Sequence, residues 1–252
     1  MDDKAKTGIR RRAATLAARV IERAVPLRPL ALSGAEDAAD ARPKATHPPV
    51  GGWPKRLTDI CGASAALLLA APLMLICILA IKLSSRGKAL FAHQRLGFNG
   101  DTFPCFKFRS MYADAAERLE IILATDPSAK AEWDENQKLT RDPRVTPVGN
   151  FLRRTSLDEL PQFINVLLGH MSLVGPRPIV RAEAPRYGAA YADYTKARPG
   201  ITGLWQVSGR SDTGYGERIE LDTAYVNGWT LAKDVKILFQ TINVVLRQKG
   251  AV

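Results

Sequence analysis

Residues 60–81 have the sequence ICGASAALLLAAPLMLICILAI, which contains no charged side chain. A helix of this length, at about 1.5 Å per residue, is roughly 33 Å long and can cross a hydrocarbon core of about 30 Å. Basic side chains flank the segment on both sides: Lys55, Arg56, Lys82, Arg86 and Lys88. The pattern therefore predicts a membrane-associated helix over residues 53–85.

Two topologies are compatible with this segment, because Pro72 lies in its middle, directly after Ala71. In the first topology the helix spans the membrane, although positive charge on both flanks disfavours sending either flank outward. In the second, Pro72 breaks the helix and the chain returns to the side that it entered. The two arms, of about 12 and 9 residues, are each too short to span alone. The residues themselves leave both topologies open.

The apolar segment divides the chain into three regions. Residues 1–52 form a basic, Ala/Pro-rich lead, which is predicted to be largely disordered or, alternatively, to contain an amphipathic helix on anionic lipid. Residues 86–252 form the third region. Strand-like segments lie at 90–92 and 103–108, around a hairpin-like turn at 97–101. Helical patterns cover 112–138, 160–168, 183–194, 216–228 and 231–247, and 139–150 is predicted as a loop. The fold class is therefore α+β and mostly helical.

Composition limits the partners and the compartment. The net charge of +11 predicts an anionic partner, which can be a nucleic acid, an anionic lipid or a phosphorylated substrate. The three cysteines form no CxxC pair and no ligand set with the three histidines. A disulfide framework or a zinc site is therefore not expected, and a reducing compartment is favoured.

The densest polar cluster surrounds Asp158 and Glu159, in the sequence LRRTSLDELPQ over residues 152–162. Ser156 and Glu159 match a capping box, which is the ordinary structural explanation for acids at a helix start. However, Pro161 would then lie too deep in the helix. A later helix start places both carboxylates at the mouth of the helix, beside two arginines. Such a site can hold a phosphate and a divalent cation together.

Basic side chains elsewhere suit phosphate binding. Lys107 and Arg109 alternate with aromatic residues, so that a strand would direct both cations to one side. Arg177 lies between Pro176 and Pro178, in a rigid loop that suits a phosphate clamp. The ordinary alternatives are a solvated strand face and a local ion pair.

Several longer motifs together resemble the bacterial sugar transferase family, the small monotopic polyprenyl-phosphate phosphoglycosyl transferases. The resemblance extends from about residue 53 to the C-terminus. Its motifs are KRLTD at 55–59, KFRSM at 107–111, DPRVT at 142–146, SLDELPQ at 156–162, MSLVGPRP at 171–178 and RPGITGLWQV at 198–207.

This resemblance implies a reaction. Asp158 matches the family nucleophile, which attacks the β-phosphate of a UDP-sugar, releases UMP and forms a phosphoglycosyl-aspartate. Undecaprenyl phosphate then accepts the sugar phosphate, which starts an exopolysaccharide repeat unit. Glu159, with Asp158, matches the Mg²⁺-binding pair. The segment over residues 203–210 resembles family members that transfer a hexose phosphate, with galactose 1-phosphate expected ahead of glucose 1-phosphate.

The resemblance also implies binding residues and a location. Positions expected to bind phosphate or substrate are Lys107, Arg109, Arg153, Arg177, Arg198, Asp222 and Tyr225. In this family the first apolar segment is re-entrant, which favours a break at Ala71 and Pro72, although Ser is often found where this chain has Ala71. The expected protein is monotopic, with interfacial amphipathic helices that place residues 86–252 on the cytoplasmic face of a bacterial inner membrane.

Two other classes of function compete with this interpretation. A non-catalytic scaffold would bind anionic membrane lipid through the basic lead and the apolar helix. A nucleic-acid binder needs a contiguous basic face with stacking aromatics, whereas the cations here are spread over separate loops. No nucleic-acid partner is therefore expected, and a homo-oligomer is compatible with the sequence.

Overall fold

The computed structural model of the protein describes residues 48–136, 138–209 and 214–247. The basic lead predicted over residues 1–52 lies almost entirely outside this part of the chain, as does Arg210. Within the described residues the protein is mostly helical with short strands, which confirms the α+β class.

The elements are numbered here in chain order. The α-helices are α1 (Gly52–Ser84), α2 (Ala115–Thr125), α3 (Pro127–Asn136), α4 (Pro147–Arg154), α5 (Gln162–Leu168), α6 (Ala184–Tyr187), α7 (Tyr191–Tyr194), α8 (Leu204–Ser208), α9 (Tyr215–Asn227) and α10 (Leu231–Arg247). The strands are β1 (Leu90–Leu96), β2 (Thr102–Phe108), β3 (Ser172–Val174) and β4 (Gly200–Thr202). Short 3-10 turns occur at Phe98–Gly100, Leu157–Glu159, Arg181–Glu183 and Gly188–Ala190.

Helix α1 is the candidate membrane-associated helix, and by length and composition alone it could cross a bilayer. Its central apolar side chains face away from the protein: Leu68 is 79% exposed and Leu69 is 81% exposed. The helix includes Ala71 and Pro72 without an interruption of its secondary structure. A proline removes one backbone hydrogen bond and can bend a helix without ending it. The predicted re-entrant geometry therefore stays a prediction.

The N-terminal part of α1 is bonded to three later helices. Lys55 is buried, with its Nζ 2.5 Å from Oδ2 of Asp234 on α10, and it also donates to the hydroxyl of Tyr225 on α9 at 3.0 Å. Arg56 donates to the carbonyls of Val166 and Leu167 on α5, at 2.6 and 2.9 Å. Removal of one partner strongly destabilises the folded protein, because the other charge stays buried without compensation. These bonds therefore fix the position of α1.

The C-terminal part of α1 packs on the same body. Cys77 and Ile81 are buried in one cluster with Phe108 of β2 and Leu152 of α4. Arg109 then donates to the carbonyls of Ser85 and Arg86, at 2.8 and 2.7 Å, just after the helix ends. Cations stabilise the C-terminal end of a helix by bonding its exposed carbonyls. Both ends of α1 are therefore attached to the rest of the described protein, while many of its apolar side chains, from Trp53 to Leu83, are exposed.

Strands β1 and β2 form the predicted antiparallel hairpin around residues 97–101. The amide of Gly97 donates to the carbonyl of Asp101 at 2.8 Å, and Asn99 takes a left-handed φ of 61°, which short polar side chains tolerate. Residues that pair directly share a face of the hairpin. The register pairs Arg95 with Phe103 and His93 with Cys105. Because side chains alternate along a strand, Arg95, Cys105 and Lys107 lie on the same face.

Strands β3 and β4 are parallel neighbours, and α1 holds β3 through Asp59. One carboxylate oxygen of this buried residue accepts from the hydroxyl of Ser172 at 2.8 Å and from the amide of Leu173 at 2.9 Å. The backbones approach closely beyond β3: a Cβ on Gly200 would lie 2.1 Å from the amide nitrogen of Gly175. Only glycine fits at such a contact, which fixes the start of the loop that contains Arg177.

Two predicted boundaries are wrong, and in each case a side-chain cap explains the difference. The single helical pattern over 112–138 is divided, because Asp126 accepts from the amides of Ser128 and Ala129 and starts α3. The segment predicted as a loop over 139–150 contains the first turn of α4. Thr146 caps that turn by accepting from the amide of Gly149 at 2.8 Å, and Pro147 occupies the tolerated first position.

Candidate active site

Asp158 and Glu159 lie on a short 3-10 turn between α4 and α5. Ser156 takes a left-handed φ of 56° and caps nothing with its side chain, so the capping box does not form. Helix α5 starts only at Gln162, with Pro161 before it. As the sequence predicted, a later helix start leaves both carboxylates in front of the helix. The two acidic residues differ in burial. Asp158 as a whole residue is 8% exposed, whereas the side chain of Glu159 is 32% exposed.

Lys107 projects from β2 between the two carboxylates. Its Nζ lies 2.7 Å from Oε1 of Glu159 and 3.8 Å from Oδ2 of Asp158. The ammonium group thus has one close partner in Glu159 and a more distant one in Asp158. This arrangement brings Lys107 beside two adjacent carboxylates, although Glu159 is 52 positions away in sequence. It leaves Asp158 without a short ion pair among the described residues.

Burial raises the pKa of the Asp158 carboxyl above its ordinary value, and the charge of Glu159 acts in the same direction. The charges of Lys107 and Arg153 oppose this shift without cancelling it. Desolvation disfavours a charged carboxylate, so the ionised Asp158 is held in an unfavourable environment. A carboxylate under these conditions is a stronger nucleophile than one that is solvated and fully paired.

Arg153 approaches the acidic pair from the last turn of α4. Its Nε donates to the hydroxyl of Ser110 at 2.8 Å, and its charge acts on Asp158. Ser110 belongs to the KFRSM motif, which starts in β2 at Lys107 and continues beyond the end of the strand. The exposed guanidinium group therefore stands at the edge of the site with donors that a phosphate can use.

Arg177 reaches the same site from the loop after β3. Its guanidinium carbon lies 5.6 Å from the centre of the Trp205 ring, which orients the side chain. A small cleft brings Arg177 together with Lys107 and Glu159. The residues that line this cleft are Arg95, Cys105, Lys107, Glu159, Gln162, Arg177, Pro178, Gly200, Ile201 and Gln206. Four of the predicted site residues, Lys107, Arg153, Asp158 and Glu159, thus converge around one point, and Arg177 shares the cleft.

Two predicted phosphate ligands are placed elsewhere. Strand β2 ends at Phe108, so Arg109 does not share the face of Lys107 and instead bonds the carbonyls after α1. Arg198 donates to the carbonyl of Gly169 at 2.8 Å, beyond the end of α5. The acidic pair lies before the beginning of that helix, about 10 Å away along its axis.

Asp222 and Tyr225, predicted as substrate-binding residues, are both buried in the protein. Asp222 accepts from the hydroxyl of Tyr187 at 2.9 Å, and burial raises its pKa to about 6. Tyr225 donates to Asp234 at 2.6 Å and to the carbonyl of Val174 at 3.0 Å. Tyr225 therefore stabilises the end of β3 by a hydrogen bond, and Asp222 lies close to the backbone of Arg177. Both residues support the loop that holds Arg177, and neither lines the cleft.

Arg95, Cys105 and Gln162 also line the cleft, although none of them was predicted as a site residue. Arg95 lies beyond the strand-like segment predicted at 90–92, and only the register of the hairpin places it on the face that holds Lys107. Burial raises the pKa of the Cys105 thiol to about 11, so this cysteine is not a reactive nucleophile.

The donor set suits Mg²⁺ only as a site shared with a substrate. Mg²⁺ is commonly bound by one or two carboxylates, several waters and substrate phosphates. Asp158 and Glu159 provide such carboxylates, and the described residues contain no group of three or more His, Cys, Asp or Glu that could hold a metal alone. A phosphate-bearing substrate would complete the coordination.

Comparison with known proteins supports the same interpretation of the site as these contacts do. The sequence model of a family described as bacterial sugar transferase matches residues 50–248. The undecaprenyl-phosphate galactose phosphotransferase of Salmonella typhimurium is 52% identical over 197 residues, which cover 78% of this chain and 41% of that protein. The UDP-galactose-lipid carrier transferase of Erwinia amylovora is 50% identical over 197 residues, or 78% of this chain and 41% of that protein.

The relatives differ in length. The chain spans about two fifths of the two proteins just named. The exopolysaccharide production protein ExoY of Rhizobium meliloti is instead matched over 90% of its length, with 47% identity over 203 residues that cover 81% of this chain. The likeness therefore covers nine tenths of a short relative as well as part of longer ones.

The buried Asp158 predicts a pH-dependent cost in stability. Because its pKa is raised in the folded state, the penalty appears as the pH rises above the ordinary aspartate pKa and is complete above the folded value. Asp158→Asn is therefore expected to raise the thermal unfolding midpoint at pH 7, and to have no effect at a pH below the ordinary value. Thermal unfolding in detergent at both pH values measures this difference.

Asp142 provides a control of opposite sign. Burial alone would raise its pKa, but hydrogen bonds from Arg144 outweigh burial and hold the pKa below its ordinary value. Asp142→Asn should therefore lower the midpoint at pH 7 and lose its effect as the pH falls. An Asp158→Asn protein that is less stable than the wild type at pH 7 would contradict the argument.

Proposed function

Because the chain belongs to the bacterial sugar transferase family, we propose that it transfers a sugar 1-phosphate from a UDP-sugar to undecaprenyl phosphate. The product would start the synthesis of an exopolysaccharide repeat unit. Relatives named for undecaprenyl-phosphate galactose transfer, for UDP-galactose-lipid carrier transfer and for exopolysaccharide production support this proposal. The single observation that carries it is the convergence of Asp158, Glu159 and Lys107 beside Arg177.

The reaction that suits this site has two displacements at phosphorus. First, a carboxylate oxygen of Asp158 attacks the β-phosphorus of the UDP-sugar. The bond from that phosphorus to the bridging oxygen breaks, and UMP leaves with the electron pair. A phosphoglycosyl-aspartate remains. Second, an oxygen of undecaprenyl phosphate attacks the same phosphorus, the bond to Asp158 breaks, and the carboxylate is restored.

The neighbouring residues neutralise charge during both steps. A carboxylate can approach a phosphate only where cations offset the repulsion between two anions. Lys107 lies between the two carboxylates, Arg153 lies at the edge of the site, and Arg177 lies in the adjoining cleft. Mg²⁺ held by Glu159 and Asp158 would neutralise further charge on the transferring phosphate. Lys107 would then turn from Glu159 toward the phosphate.

The attachment of α1 supports a site at the surface of a membrane. A straight helix of 33 residues is about 50 Å long, and a span would place its two ends on opposite sides of the bilayer. Instead Lys55, near the start of α1, and Ile81, near its end, are both buried against the same part of the protein, which has polar faces. We propose that α1 bends at Pro72 and enters and leaves the membrane on the same side.

A second apolar surface lies on α10. Leu231, Val235, Phe239 and Ile242 recur at helical spacing and are 41%, 46%, 67% and 55% exposed. Such a stripe suits an amphipathic helix that lies in the lipid interface. The net charge of +11 suits an anionic leaflet, and UDP-sugars are made in the cytosol. The proposed location is therefore the cytoplasmic face of a bacterial inner membrane.

Galactose 1-phosphate is the preferred group in this proposal. Two relatives with about half of their aligned residues identical to this chain are named for galactose. The UDP-glucose:undecaprenyl-phosphate glucose-1-phosphate transferase of Escherichia coli is 43% identical over 196 residues, so glucose 1-phosphate is the second choice. A non-catalytic lipid-binding scaffold is the competing function, and it assigns no chemical role to Asp158.

Release of UMP tests the reaction. Purified protein with Mg²⁺ and undecaprenyl phosphate should release UMP from UDP-galactose faster than from UDP-glucose, and chelation of Mg²⁺ should stop the release. Asp158→Asn should lower turnover by at least about a thousandfold, since it removes the nucleophile. Asp142→Asn, a change of the same chemistry outside the cleft, should leave turnover within a few-fold. Equal turnover by the Asp158→Asn protein would show that Asp158 is not the nucleophile, whereas the absence of UMP release by the wild type with every UDP-sugar would support the scaffold instead.

Labelling of single cysteines tests the topology. Cys77 and Cys105 are buried, so Cys61→Ser gives a protein whose remaining thiols are shielded. Trp53→Cys and Arg86→Cys then place one reactive thiol near each end of α1. Both thiols should react with a membrane-impermeant maleimide in inside-out vesicles, and neither should react in intact spheroplasts. Labelling of the two positions from opposite sides would show that α1 spans the membrane.

A further inference from the structure

Arg95 is a cation of the cleft to which neither the motifs nor the proposed reaction assigns a role. It lies on β1, on the hairpin face that also holds Cys105 and Lys107. The register places Arg95 opposite Phe103, four residues from Lys107 along β2, or roughly 13 Å at strand spacing. Long side chains from the two positions can therefore reach opposite ends of one cleft that is floored by Cys105.

The Arg95 guanidinium group is held beside the Arg177 loop. Its Nη1 donates to the carbonyl of Pro178 at 3.4 Å and lies 3.7 Å from a carboxylate oxygen of Glu183. Both contacts use the same nitrogen. Among the described residues, Nε and Nη2 have no hydrogen-bond acceptor, although the side chain is only 22% exposed. An oriented guanidinium fork with unused donors suits an oxyanion.

The two ends of the cleft differ in charge. At one end Lys107 is balanced by Glu159 and Asp158. At the other end Arg95 and Arg177 are close enough to repel. Burial lowers the pKa of Arg95, and the charge of Arg177 lowers it further, while Glu183 only partly compensates. Two like charges in a partly desolvated cleft are stabilised by an anion between them.

The proposed reaction supplies such an anion at this position. Displacement at phosphorus places the attacking and leaving oxygens in line, on opposite sides of the phosphorus. If Asp158 attacks the β-phosphate, the α-phosphate lies on the far side, away from the acidic pair. In the cleft this direction leads from Lys107 toward Arg95 and Arg177.

We propose that Arg95, together with Arg177, binds the α-phosphate of the UDP-sugar and then the phosphate of the leaving UMP. This role rests on the proposed function and specifies how its donor is bound. Arg95 contacts the substrate through Nε and Nη2, while its Nη1 keeps the Pro178 carbonyl. The guanidinium group stabilises the negative charge that develops on the leaving phosphate and carries no proton transfer.

Direct binding of UMP, alongside turnover, tests this role. UMP affinity is measured by isothermal titration on detergent-solubilised wild type, Arg95→Gln and Arg95→Lys. Loss of a hydrogen bond to a charged group weakens binding by roughly 10- to 100-fold. Arg95→Gln should weaken UMP binding and raise the KM for the UDP-sugar by a similar factor, and leave the KM for undecaprenyl phosphate unchanged. Arg95→Lys should recover part of the affinity, because the charge remains while the fork is lost.

Arg118→Gln is the matched control, because Arg118 is an exposed arginine of α2 that pairs with Asp114 outside the cleft. It should bind UMP as the wild type does. Arg95 variants that keep wild-type affinity for UMP, while the wild type turns over, would overturn the role of Arg95 and leave the proposed function intact. Lower thermal stability without a change in UMP affinity would show a purely structural arginine and would also overturn it. Failure of the wild type to release UMP from any UDP-sugar would overturn the proposed function, and this role with it.

Discussion

Both ends of α1 are attached to the same body of the protein. At the first end a buried lysine, Lys55, is bonded to Asp234 and Tyr225, and these bonds cannot be replaced by lipid. At the second end Ile81 is buried beside Phe108 and Leu152. The apolar side chains of the helix that are not used in these contacts are exposed, from Trp53 to Leu83. In the proposed topology they meet the bilayer, and the rest of the described protein stays at the surface that the helix enters.

The same attachments position the chemistry. Asp59 of α1 bonds β3, which leads directly into the loop of Arg177, and Tyr225 holds the carbonyl of Val174 at the end of that strand. The far end of α1 packs on β2, which carries Lys107. The candidate membrane helix is therefore part of the scaffold of the cleft. A lipid phosphate that reaches the surface beside α1 would meet the acidic pair without leaving the interface, which suits a reaction between a soluble and a lipid-bound phosphate.

The sequence predicted the elements whose signals are local. The apolar run, the hairpin at residues 97–101 and the late start of α5 all follow from composition, turn residues and the position of Pro161. It also predicted that Asp158, Glu159, Lys107 and Arg177 act together, but through family resemblance, because residues this far apart in sequence have no local signal of contact.

The limit of that inference is shown by four residues: Arg109, Arg198, Asp222 and Tyr225. A motif marks a residue as important, but it does not show whether the residue contacts the substrate or positions another residue that does. Asp222 and Tyr225 are buried supports, and only the packing around β3 reveals this. Arg95 was missed because one arginine in a strand has no distinctive pattern until the register pairs it with the partner strand.

In the proposed reaction Asp158 attacks phosphorus and briefly carries the sugar phosphate. The most direct measurement is the intact mass of the protein after a short reaction with UDP-galactose and Mg²⁺ in the absence of undecaprenyl phosphate. The wild type should acquire an adduct with the mass of a hexose phosphate, located on the peptide that contains Asp158 and discharged when undecaprenyl phosphate is added. Asp158→Asn should give no adduct. An active wild type that never acquires this mass would favour direct transfer between the two substrates. An adduct that persists in Asp158→Asn would place the covalent intermediate on another residue, and either result would exclude Asp158 as the carrier.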